Sequence, residues 1–75
     1  MNTWIKTHNS TYILSPRPMG VFVVRSTNRT YRGPYRMVLG LWPVVGQSMV
    51  LTFLGGKRVG RVLITSPVQS IEERA

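Results

Sequence analysis

"SMVLTFLGGKRVGRVLIT", residues 48–65, is the stretch whose reading decides the fold. Two apolar runs flank Gly55-Gly56-Lys57-Arg58-Val59-Gly60, and the glycines supply the positive φ values that hairpin turns demand. Strand alternation puts Met49, Leu51 and Phe53 on one face. The same reading sets Val62 and Ile64 opposite them. The other face then holds Val50, Thr52, Leu54, Arg61 and Leu63. That face is apolar for a surface open to water, so a further strand or another chain is expected to cover it.

Outside this hairpin the pattern repeats. "TYIL" (11–14), "GVFVVR" (20–25), "RMVLGLW" (36–42) and "VQSI" (68–71) are short runs rich in Val, Ile, Leu and Tyr. Gly and Pro separate them at intervals of about 8 to 12 residues, the spacing of an all-β chain. Ser15-Pro16-Arg17-Pro18 forbids a helix and favours an extended connector. Ser66-Pro67-Val68 reads as a single helical turn, since Pro suits a first helical position. Only the tail "SIEERA" leans helical, and it is too short to be stable alone.

Seventy-five residues make one domain, 1–75, with residues 1–10 and 72–75 expected to be flexible. Five or six short antiparallel strands manage their edges best by closing. The order of elements (a long loop, two hairpins, a single turn at Pro67, a short last strand) resembles the small SH3-like barrel with a C-terminal tail. A domain this small usually gains stability from a disulfide, a metal or a partner subunit. The chain has no Cys and one His, so a homo-oligomer is the remaining option.

The charge balance narrows the partner. Formal net charge is +8, Asp is absent, and the two acids are Glu72 and Glu73. Such a field draws polyanions: DNA or RNA first, anionic lipid second, an acidic protein third. "RSTNRTYRGPYR" (25–36) concentrates it, with Arg25, Arg29, Arg32 and Arg36 interleaved with Tyr31 and Tyr35. The arginine spacing of four, three and four fits one helical face, but Gly33-Pro34 excludes a helix, so the segment reads as a loop. Arginine binds phosphate bidentately, and tyrosine offers a stacking face for unpaired bases. Ser26, Thr27, Asn28 and Thr30 add hydrogen-bonding groups for phosphate oxygens. Lys57, Arg58 and Arg61 form a second basic cluster at the hairpin tip.

Catalysis is not expected. Acid–base and nucleophilic chemistry needs tunable groups held together, and the chain offers one His, no Cys and adjacent Glu72 and Glu73. Three or four zinc ligands cannot be assembled from this set, so neither a metal nor any other cofactor is expected. His8 reads as a plain surface residue. The spacing of Gly40 and Gly46 is one too long for a phosphate-binding loop, and the required lysine is missing. Trp42-Pro43 reads as a seal on one barrel end, with an exposed hot spot for a partner chain as the alternative, and Trp4 as either a core residue or part of a loose N-terminus.

The longest apolar run, "MVLGLWPVVG" (37–46), is about half a membrane span and is broken by Pro43. Lys6 interrupts the first ten residues before any signal-like apolar segment develops. The expectation is a non-catalytic nucleic-acid-binding module of a bacterial or phage cytoplasm, with no membrane span, contacting phosphates through two basic loops. A basic interaction or self-assembling accessory protein fits the same composition.

Overall fold

In the computed structural model, which describes residues 1–75, six strands follow one another along the chain. They are β1 (Asn2–Thr7), β2 (Thr11–Pro16), β3 (Val21–Ser26), β4 (Tyr35–Leu39), β5 (Ser48–Phe53) and β6 (Val62–Arg74). Each pairs antiparallel with the next, and β6 pairs with β1, closing a six-stranded barrel. Short 3₁₀ turns at Pro18–Gly20 and Gly56–Arg58 are the only helical pieces. The architecture is that of a small SH3-like barrel, and no helix is long and apolar enough to cross a membrane.

Alternation explains the interior. Met49, Leu51 and Phe53 of β5 point inward, as their spacing predicts, and meet Ile5, Leu14, Val24 and Met37 from the other strands. Each such side chain, fully buried, contributes about 1.5–3 kcal/mol by leaving water. The Thr7 and Thr65 hydroxyls on the inner face are satisfied locally. Thr7 Oγ1 donates to Ser10 O at 2.9 Å, and Thr65 Oγ1 donates to Ser66 O at 2.8 Å.

β6 departs from its sequence reading in phase and in length. Phe53 N donates to Arg61 O at 2.9 Å, which closes the 54–61 connection with Arg61 opposite Phe53. Leu63 therefore lies opposite Leu51 and points inward, while Val62 and Ile64 face out beside Thr52 and Val50. Nothing in the chain covers that outer face.

Pro67, expected in a turn or a helical start, instead sits inside a continuous thirteen-residue strand. The registers to both neighbours shift beside it, and a bulge is where a residue without an N–H fits a sheet. The first half of β6 pairs with β5 and the second half with β1. Residues 72–74, expected as a flexible tail, belong to this strand.

The N-terminus also differs from its reading. Residues 2–7 form a strand hydrogen-bonded on both sides, with Ile5 fully buried. Trp4 lies on the outer face, where the Arg74 guanidinium stacks 3.9 Å from its ring centroid. β4 stops at Leu39, and in the connection that follows Trp42 stands 54% exposed while Pro43 is buried. The seal is the proline; the indole is left in solvent.

Candidate nucleic-acid interface

Topology assembles the basic segments. In a barrel whose strands follow sequence order, every connection from an odd to an even strand emerges at the same end. By this rule the β3–β4 loop (27–34) and the β5–β6 connection (54–61) share one end, while the β1–β2 turn (8–10) is drawn to the middle of the long β6, where His8 N donates to Pro67 O at 3.2 Å. The chain termini and the 17–20 and 40–47 connections occupy the other. Cross-links tie the first end together: Thr11 N donates to Thr27 Oγ1 at 2.9 Å, and Leu54 N donates to Arg36 O at 2.9 Å.

The β3–β4 loop has a defined shape. Ser26 N donates to Arg32 O at 2.9 Å, and Ser26 Oγ accepts from Asn28 N at 2.8 Å. Asn28 Oδ1 accepts from Thr30 N at 2.9 Å and from Tyr31 N at 3.2 Å, an Asx turn that swings Tyr31 toward the barrel. Gly33 has φ +84°, and a Cβ there would lie 2.5 Å from Val24 O, so only glycine fits against β3. Tyr12 lies buried on the inner face of β2, and burial raises its phenol pKa above the ordinary 10.0, keeping the group neutral.

Arg58 joins the two basic segments. Its guanidinium carbon stands 5.0 Å from the Tyr31 ring centroid, 5.3 Å from Tyr35 and 6.0 Å from Phe53. Its Nη1 donates to the Tyr35 hydroxyl. Both tyrosine rings are half-buried against Phe53, at centroid distances of 5.8 Å for Tyr31 and 5.2 Å, edge-on, for Tyr35. Cation–π and edge-to-face contacts thus build a small aromatic floor that orients one planar cation.

Beside it lies a cleft of about 470 Å³ lined by Tyr35, Gly55, Gly56, Lys57, Arg58 and Arg61. Lys57 and Arg61 are exposed at its rim.

The other basic residues surround this end at different depths. Arg29 and Arg32 are exposed on the 27–34 loop. Arg36 projects from the outer face of β4, opposite Val23 and next to the start of the 54–61 connection. Arg25, also outward, lies on the β2 side of β3, opposite Ile13, and does not line the cleft. His8 is exposed on the neighbouring turn, with Nδ1 3.4 Å from Gln69 Nε2.

No carboxylate reaches this end. Glu72 and Glu73 lie at the far end of β6, where Glu72 pairs with Arg74 at 2.9 Å and Glu73 accepts from Thr3 Oγ1. Arg74 is the one basic side chain of the ten with a carboxylate partner. No group of three His, Cys, Asp or Glu side chains comes together anywhere in the chain.

Sequence reasoning found the charges here and missed the role of Phe53, whose core position carries no sign that its ring also supports Tyr31, Tyr35 and Arg58. No protein-family model, curated protein or solved structure matches the chain.

Proposed function

We propose that this barrel is a non-catalytic nucleic-acid-binding module whose basic end contacts the phosphate backbone of DNA or RNA. The observation that carries the reading is the Arg58 guanidinium fixed over Tyr31 and Tyr35, in a cleft shared with Lys57 and Arg61, at an end without a carboxylate. A planar cation held in place loses little entropy when it grips a phosphate, and its fork donates to two oxygens at once. Lys57, Arg61, Arg32, Arg29 and Arg36 add point charges around it, and Arg25 extends the field along β3. Tyr31 and Tyr35 act chiefly by positioning Arg58, since their rings already pack on Phe53.

Because these contacts are to phosphates, binding is largely independent of sequence. The absence of Cys from so small a domain suits a reducing cytoplasm, and a bacterial or phage source suits the small basic chain.

Counterion release governs such binding. With four or more phosphates neutralised, the slope of log affinity against log salt is about −3 for a single strand. Affinity for a labelled oligonucleotide should then fall roughly 50-fold between 50 and 200 mM salt. Fluorescence anisotropy titrations at the two salt concentrations read this directly. An affinity that does not change with salt, or no binding at 50 mM, would remove the proposal.

A further inference from the structure

The end opposite the basic loops carries a different surface. In the β4–β5 connection Leu41 is 85% exposed and Trp42 54% exposed, with Val44 beside them. This cluster continues onto the barrel wall, because Trp42, Val44 and Val50 line one groove. Val50 pairs across the ladder with Ile64, which is 67% exposed, and Val62 follows one outward position away. No charged residue interrupts the six. Together they expose on the order of 600 Å², at the upper end of the roughly 300–600 Å² that is the largest apolar patch of a typical monomer.

We infer that this face is the interface of a homodimer, with a second copy of the chain as its occupant. Area supports that occupant, since a standard interface takes about 800 Å² from each partner and the patch supplies most of it. Charge supports it as well. Two chains of net charge +8 repel unless they meet where neither carries charge; Leu41, Trp42, Val44, Val50 and Ile64 form such a surface, and Val62 at its edge adjoins Arg61.

The same distribution argues against other occupants. An acidic protein is drawn to the basic loops instead. Insertion of Leu41 and Trp42 into an anionic bilayer calls for cations beside the apolar tip, yet Arg17 is the one unpaired side-chain cation at this end.

A two-fold pairing here also meets the need of a 75-residue domain without disulfide or metal for additional buried surface. The inference stands apart from the nucleic-acid reading, because its test contains no nucleic acid.

Sedimentation equilibrium from about 1 µM to 1 mM at moderate salt tests it, with circular dichroism verifying the fold of each variant. The wild-type chain should approach twice its 8.5 kDa mass within that range. Trp42→Ser and Ile64→Lys, on separate elements and both at exposed positions, should each weaken association at least 100-fold and stay near one mass. Val59→Lys, an exposed apolar position outside the patch, should dimerise like the wild type. A wild-type chain that is monomeric at 1 mM overturns the inference. So do patch variants that still dimerise, and a monomer that co-sediments with phosphatidylcholine vesicles.

Discussion

Leu51→Ala is expected to remove most of the stability of this barrel. Leu51 is fully buried at the centre of β5, between Leu39 on one side and Leu63 on the other. Truncating such a leucine costs about 2–5 kcal/mol through lost transfer energy and an unfilled cavity. A domain of this length has about 4–11 kcal/mol in total, so the variant sits near the unfolding threshold. The thermal midpoint should fall by about 10 °C or more, read by circular dichroism. Leu54→Ala, one residue past the strand on an exposed position, should shift it by only a few degrees. Equal effects at the two positions would mean that β5 does not present the inward face described here.

The second large effect concerns binding. Replacing Lys57, Arg58 and Arg61 together by Ala removes the three cations that line the cleft. Each lost phosphate contact takes about 0.7–0.9 from the salt slope, so the variant's slope should flatten by about 2 to 3. At 0.1 M salt its affinity for an oligonucleotide should drop by about a hundredfold or more. The fold should persist, because Lys57 and Arg61 are solvated and the Arg58 cation–π contacts contribute only about 0.5–2 kcal/mol.

Arg58→Lys separates charge from geometry. It keeps the charge, so the salt slope should hold, while affinity falls because an ammonium can neither fork onto a phosphate nor stack on the Tyr31 ring. A triple variant that binds as tightly as the wild type would place the contact surface elsewhere.

How far the sequence revealed this arrangement varies from strand to strand. β5 was legible because large apolar residues alternate with smaller or polar ones over six positions. β1 was not, because its inward positions are Thr3, Ile5 and Thr7 while Trp4 and Lys6 face out. Threonines on the core face blur the alternation that marks a strand, and their hydroxyls are tolerated because each has an acceptor, Glu73 for Thr3 and Ser10 O for Thr7.

β6 was misphased for a different reason. Its inward set depends on how many residues the 54–61 connection absorbs, and the 3₁₀ turn at Gly56–Arg58 settles that in three dimensions. Pro67 misled because its local preference for a turn is overridden by a bulge between two pairing partners. At the basic end the charges were plain in the composition. The packing of Arg58 on Tyr31, Tyr35 and Phe53 joins residues up to 27 positions apart, and no local pattern encodes it.

Backbone amide NMR of the wild-type chain during titration with a short oligonucleotide locates the contact surface directly. Shift changes should concentrate in residues 27–36 and 55–61, with the Arg58 guanidinium signal among the most affected, and should fade as salt rises. Changes concentrated instead at residues 40–47 and on the outer face of β5 and β6, with the basic end undisturbed, would contradict a phosphate-binding role for that end.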